Sequence, residues 1–373
     1  MTNFVVSPEQ EQLRESVRRL LASRSDSVAV RARMQTTEGG DPALWQQLAG
    51  QLGAHGLAIP EEYGGSGFGF AELSIVLAEL GRAVTVLPFL ASIAVAATAL
   101  LSSGDTDAAK SYLPAIAAGD RIATLALADI GAAPDLDRIS LPATTHGNAW
   151  QLDGVKEIVL DGLAADLLLV AARTPAGLSL FAVEADARGL RRTPLSVMDL
   201  TRKQARLTFD ATPARLIGAD GGAAVGLART LDLAAIALAA EQAGAAEKCL
   251  EMAVGYAQTR YQFGRPIGSY QAISHKCVDM LARVEMAKSA AGYAARVADE
   301  NDSAELAIAA SVAKAYCSEA FLFVSAENIQ VHGGIGFTWE HDAHLYFKRA
   351  KSSELMFGDP QYHRNRLASL LEL

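Results

Sequence analysis

Cysteine is nearly missing from this 373-residue chain: Cys249, Cys277 and Cys317 are the only three, and no two share a Cys-x-x-Cys spacing. That excludes a disulfide framework, gives no zinc ligand set, and suits a reducing compartment such as the cytoplasm. Aromatic residues are sparse at 6% while alanine is abundant, which favours packed helices over sandwiches. A basic excess is also absent. The net charge of −9 makes nucleic acid or an anionic membrane surface a poor partner. No apolar run reaches the ~20 residues that span a bilayer. The longest cover residues 91–101 and 231–246, and the second contains Asp232 and Glu241. Core helices are the expectation. The first twenty residues carry Glu9, Glu11, Arg14 and Glu15 without an apolar core, so no secretion signal is read there.

What is present falls into three stretches. Residues 1–118 read as an N-terminal helical domain. Ser7-Pro8-Glu9-Gln10 is a capping box with proline at the first helical position, followed by Leu13, Val17, Leu20 and Leu21 on one face. Asp41-Pro42 opens another helix through Trp45, Leu48 and Leu52, and Gly53 and Gly56 close it. A glycine-rich loop follows at Pro60-Glu-Glu-Tyr-Gly-Gly-Ser-Gly67. Across residues 119–220 the pattern shifts to short strand-like runs punctuated by Asp153-Gly154, Asp161-Gly162 and Pro175-Ala-Gly177. A small β-domain, barrel or sandwich, is expected there. Residues 221–373 return to long helical patterns that suit a four-helix bundle. The fold is therefore mainly α with a central β-domain. Strands and helices do not alternate, and no G-x-G-x-x-G follows a strand, so a doubly wound nucleotide fold is excluded.

Two segments carry chemistry. Arg260-Tyr-Gln-Phe-Gly-Arg-Pro-Ile-Gly-Ser-Tyr-Gln271, with His275 following, places two arginines and a glutamine around a turn between helices, a set able to hold a pyrophosphate and an adenosine. The bland alternative is a turn with solvated arginines. Gln330-Val331-His332-Gly333-Gly334-Ile-Gly-Phe337 puts three glycines after a long helix, where a helix cap or a close backbone approach to a dinucleotide both fit. His341-Asp342-x-His344 has metal-like letters, but Lys348 and Arg349 beside it favour plain charge, and no metal site is expected.

Together, R-x-Q-F-G-x-P-I-x-x-x-Q-x-x-x-H and, some sixty residues later, Q-x-H-G-G-x-G-F resemble the acyl-CoA dehydrogenase family. The stretch from Leu52-Gly53 to Gly67 resembles its N-terminal signature, and the likeness, with some actinobacterial flavour, runs through nearly the whole chain. The resemblance implies FAD, with Arg260, Phe263 and Gln271 at its pyrophosphate and adenosine end and Gln330, Val331, His332, Gly333 and Gly334 lining the same moiety. Both sets would serve across a subunit boundary. A homodimer or homotetramer follows, or a heterotetramer with a second acyl-CoA dehydrogenase subunit. It further implies an acyl-CoA substrate, removal of its α-proton by a carboxylate, hydride loss from Cβ to FAD, a trans-2-enoyl-CoA product, and an electron-transfer flavoprotein as acceptor.

The chain departs from the family pattern at two places. The T-E-P-x-x-G-S-D-like flavin loop reads Leu127-Ala-Asp-Ile-Gly-Ala-Ala-Pro134, and the W-I-T-like strand reads Glu157-Ile-Val-Leu160. The usual glutamate slot after Arg349-Ala-Lys351 is filled by Phe357, which takes no proton, although its backbone N–H remains a donor for a thioester carbonyl. Glu241, on the helix of Leu238-Ala-Ala-Glu-Gln-Ala-Gly244, is the next candidate base: burial among alanines would raise its proton affinity. A structural pair with an arginine or lysine is its alternative. Asp359 and Glu354 are weaker candidates, and Asp359-Pro360 reads as a turn. Small side chains along residues 234–244 suggest room for a bulky acyl group such as a steroid side chain. Two rival functions stand beside the dehydrogenase: a subunit that completes FAD in a heteromer without doing chemistry, and a flavin monooxygenase or oxidase on the same fold.

Overall fold

The computed structural model of this chain describes residues 7–129, 135–147, 149–300 and 303–373. The N-terminal third holds α1 (Pro8–Arg24), α2 (Ser27–Met34), α3 (Pro42–Gly50), α4 (Phe70–Arg82), a π-helical stretch (Leu90–Ala96) running into α5 (Ala97–Ser102), and α6 (Thr106–Ala117). Ser7 Oγ accepts from the Gln10 N–H while the Gln10 side chain accepts from the Ser7 N–H, so the expected capping box closes α1. Asp41 caps α3 through the N–H groups of Ala43 and Leu44.

Strands follow: β1 (Ala123–Ala126), β2 (Ala143–His146), β3 (Ala149–Leu160), β4 (Leu167–Thr174), β5 (Gly177–Glu184), β6 (Leu190–Pro194) and β7 (Gln204–Ile217). They form one mixed sheet in the order β1-β4-β5-β7-β3-β2, with β6 on β7. Among the described residues the sheet does not close, which corrects the expected barrel. β1 and β4 run parallel; the other pairings are antiparallel. Burial follows this arrangement, with every residue of β1 and nearly all of β4 hidden and alternation along β7.

The last part holds α7 (Ala224–Thr259), the hairpin strands β8 (Tyr261–Gln262) and β9 (Arg265–Pro266), α8 (Gln271–Val297), α9 (Ser303–His332), α10 (Ala343–Leu355) and α11 (Pro360–Leu370). By length and composition α9 is apolar enough to cross a membrane, yet 61% of its most apolar window is buried inside the protein, as in a core helix. The pair Asp359-Pro360, read as a turn, is the start of α11: Asp359 Oδ1 accepts the Tyr362 N–H, 2.7 Å away, and proline takes the first helical position.

The chain divides into two compact units. One comprises residues 1–31, 74–85 and 235–373; the other comprises residues 32–73 and 86–234. In the second, Phe181, Leu168, Val170, Leu152 and Leu207 form the sheet's core. In the first, Ala245, Cys249, Met280, Phe321 and Val324 knit the long helices together. There, α4 crosses α7 on two glycines. A Cβ on Gly81 would collide with the Glu241 carbonyl, and one on Gly244 with the carbonyl of Ala78. The small residue at 244 therefore serves backbone contact rather than pocket space.

Candidate functional site

The first nominated segment follows the end of α7. Gln262-Phe263-Gly264-Arg265 turns the chain between β8 and β9, with φ of +51° at Phe263 and +81° at Gly264. Two successive left-handed residues are what a type I′ hairpin turn requires; glycine takes the second place without cost, while phenylalanine is strained in the first. Phe263 is 93% exposed. Arg265 lies over the Tyr270 ring at 4.0 Å, and the Tyr270 hydroxyl donates to the Gln262 carbonyl at 3.1 Å, stiffening the turn. Arg260 and Gln271 are exposed, and among the described residues their side chains make no hydrogen bond to the protein.

The second nominated segment ends α9. Gln330 is exposed, Val331 and His332 are buried, and Gly333 and Gly334 are exposed. Gly333 takes φ +62°, and a Cβ on either glycine would meet nothing within 4 Å, so the backbone there stands open. The His332 ring stacks on Tyr256, centroids 4.4 Å apart. Tyr256 lies one turn before Arg260, so this stack brings the two nominated segments together. His332 Nδ1 faces the Asn328 carbonyl at 2.8 Å and so carries the hydrogen. Burial holds this imidazole below its ordinary pKa, against the carbonyl's pull upward. The His341 ring also lies against it, centroids 4.3 Å apart.

Glu241 lies in the middle of α7, 4% exposed. Its Oε1 accepts from Arg349 Nη1 on α10 at 2.6 Å, and Arg349 Nη2 reaches the Thr85 carbonyl at 3.4 Å. The neighbouring Gln242 bonds Ser318 of α9 at 3.1 Å, and Ser318 accepts from Lys314 at 3.0 Å. Phe357, in the slot where the family pattern has glutamate, follows α10 with φ +54°; its carbonyl accepts from His363 Nε2 at 2.9 Å. Glu354 is paired with Lys351 on its own helix. Asp359 is occupied as a cap. No cluster of His, Cys, Asp or Glu able to hold a metal occurs among the described residues.

Within the sheet, Lys156 of β3 is fully buried and pairs with Asp129; its ammonium also donates to the Leu127 carbonyl at 2.7 Å. Asp129 in turn accepts from the backbone N–H groups of Ser140 and Leu141 and from the Ser140 hydroxyl. Burial pulls Lys156 down to about 8 even against Asp129, while Lys156 and Ser140 together outweigh burial and keep Asp129 below the usual carboxylate range. Sequence reading did not anticipate this clasp. Its signal was the single lysine of β3, two positions before the apolar Ile158-Val159-Leu160. The remaining residues of the altered loop, 130–134, lie outside the described residues.

Comparison with known proteins settles the family. The model of the acyl-CoA dehydrogenase N-terminal domain matches residues 7–120, and that of the C-terminal domain matches residues 220–371. The chain belongs to the acyl-CoA dehydrogenase family. Acyl-CoA dehydrogenase IpdE2 of Mycolicibacterium smegmatis is 36% identical, covering 97% of this chain and 98% of that one. IpdE2 of Mycobacterium tuberculosis is 38% identical over 97% and 96% of the two chains. Among solved structures, a Tcur3481-Tcur3483 steroid acyl-CoA dehydrogenase variant superposes with a TM-score of 0.87 at 33% identity, covering 98% of each chain. The ChsE4-ChsE5 complex of M. tuberculosis gives 0.89 at 28%, covering 100% of this chain and 99% of that one. Acyl-CoA dehydrogenases are FAD-dependent oxidoreductases.

The residues present fit that cofactor unevenly. The open backbone at Gly333 and Gly334 and the exposed Arg260, Gln271 and Gln330 suit a pyrophosphate and an adenosine. The strand that faces the flavin ring in the family pattern offers isoleucine, valine and leucine side chains instead of a hydroxyl, and Thr124 spends its hydroxyl on the Leu160 carbonyl at 2.6 Å.

Proposed function

We propose that this chain serves the FAD-dependent α,β-dehydrogenation of an acyl-CoA thioester to a trans-2-enoyl-CoA, as one subunit of a heteromeric assembly whose other subunit carries the proton-abstracting carboxylate. FAD, when bound, supplies the two-electron acceptor, and an electron-transfer flavoprotein in the cytoplasm collects the electrons. The observation that carries this reading is the buried Glu241–Arg349 pair. A guanidinium donating to Oε1 engages an atom a base would use, and breaking a buried pair of this kind is costly. Phe357 takes no proton either. The chain's own residues would then bind and orient. Arg260, Gln271 and Gln330 hold the phosphate and adenosine end, Gly333 and Gly334 let that end approach the backbone, and the Phe357 N–H donates to the thioester carbonyl as charge grows on its oxygen. The two-component names of the structural neighbours support a heteromer.

The test is Glu241→Gln in the assembled protein. The glutamine keeps shape and a hydrogen bond to Arg349. Turnover within a few-fold of the parent places the base on the other subunit. Loss by three orders of magnitude or more, with flavin content and fold intact, would instead make Glu241 the base. That second reading is favoured by the position of this carboxylate on α7 among buried alanines.

A further inference from the structure

Lys314 of α9 is fully buried and has no carboxylate within ion-pairing distance among the described residues. Its ammonium has three partners: Ser318 Oγ at 3.0 Å, the Glu354 carbonyl at 3.1 Å and the Gly358 carbonyl at 2.8 Å. Three donors meet three acceptors, although burial still pulls this lysine down to about 7. Two of those acceptors bracket Phe357. Glu354 belongs to the last turn of α10, whose carbonyls have no partner within the helix, and Gly358 comes directly after Phe357. Between them Phe357 adopts φ +54°, a conformation that costs a bulky residue free energy and persists only where the surroundings impose it. His363 adds a third restraint by donating to the Phe357 carbonyl. Ser318 ties the cluster through Gln242 to α7. A fully buried lysine spent on backbone carbonyls is an expensive way to end a helix; glycine or water does so at lower cost. What it adds is fixity on both sides of one residue.

We propose that Lys314 is a positioning residue for the acyl-CoA thioester: its ammonium, bonded to the carbonyls of Glu354 and Gly358, holds the Phe357 N–H aimed at the thioester carbonyl. The inference rests on the acyl-CoA reading above. It concerns one bond to one oxygen, so two ligands differing only in that oxygen isolate it. Octanoyl-CoA has the carbonyl; its thioether S-octyl-CoA lacks it. Binding of each to the purified, flavin-loaded oligomer is measured by equilibrium dialysis for the parent, for Lys314→Met, which keeps the length of the side chain without its charge, and for Ser318→Ala, a milder change at the same cluster.

The parent should prefer the thioester roughly tenfold, the worth of one well-placed hydrogen bond. Lys314→Met should erase that preference while its thioether affinity stays within about twofold. Ser318→Ala should reduce the preference by about threefold, which keeps the test alive if the methionine variant does not fold. Turnover of Lys314→Met should show KM raised in step with the lost thioester affinity and kcat lowered as well, because the contact strengthens further in the transition state. An undiminished preference in both variants, with lowered melting temperature alone, would make Lys314 purely structural and overturn the proposal. A parent that binds both compounds equally would overturn it as well, leaving acyl-CoA binding intact. A parent that binds neither would overturn the acyl-CoA reading itself.

Discussion

The same two helices, α7 and α9, behave differently in their middles and at their C-terminal ends. In the middle, three hidden charged or amide side chains are answered: Glu241 by Arg349, Gln242 by Ser318, Lys314 by Ser318 and two carbonyls; nearer the end of α9 the buried amide of Asn328 has no such partner among the described residues. At the ends and in the turn that leads from α7 into α8, Arg260, Gln271 and Gln330 are exposed, Phe263 stands out on a strained turn, and the backbone at Gly333 and Gly334 is bare. A fold that needs polar groups for its own stability pairs them, whereas one that keeps them for a ligand leaves them open. Under the function proposed above, the ends would bind and the middle would hold the ends and the Phe357 turn in place.

The sharpest way to break the contrast is to orphan a charge in the middle. Arg349→Met should cost about 3–5 kcal/mol in denaturant unfolding, because it leaves Glu241 buried without its guanidinium. Adding Glu241→Leu should recover much of that loss. If the single variant proves nearly neutral, the middle is not a stability element. Next is Gly244→Ala, whose new methyl meets the Ala78 carbonyl and should cost about 3 kcal/mol by forcing two backbones apart; thermal unfolding reads it directly.

Acid should find a weaker point. Burial, with Lys314 adding to it, pushes His363 down to about 4 in the folded protein, from 6.5. The unfolded chain therefore binds a proton across this window that the folded chain resists. The stability from His363 is fully present above pH 6.5 and is lost as pH falls through 4. His363→Gln keeps a donor for the Phe357 carbonyl and cannot titrate. It should flatten the acid limb of the stability profile by roughly 3 kcal/mol. An unchanged limb would place the acid sensitivity elsewhere, for instance at His55, buried beside Trp45 and Phe89 and held at about 3.

The smallest stability effect belongs to the ends. Arg260→Ala should change unfolding free energy by less than about 0.5 kcal/mol, yet weaken FAD retention in the assembly tenfold or more, read by flavin release on gel filtration. Equal losses of stability and flavin would erase the distinction between ends and middle.

Much of this was legible in the residues. The capping box at Ser7, the aspartate cap at Asp41 and the long periodic runs announced their helices because those signals are local. α2, with eight residues and weak patterning, gave no such signal, nor did the four-residue strand β2 or β6 with Leu190-Arg-Arg-Thr-Pro, since their stability comes from partners far along the chain. The nominated segments of the site stood out for their glycines and arginines. The Arg349 that meets Glu241 could not be read, because a pairing between residues 108 apart is written in tertiary packing. Closure of the sheet was likewise a matter of register, which periodicity does not carry.

The crossing of α4 on α7 also bears on how this chain can be rebuilt. Each helix supplies one residue without a side chain and sets its own carbonyl against the other's: Gly81 over Glu241, Gly244 over Ala78. The two positions form a single interlocking joint, so a chimera that imports the 70–82 segment from a relative will assemble only if the donor also leaves position 81 bare. The joint thus dictates where such grafts can be cut.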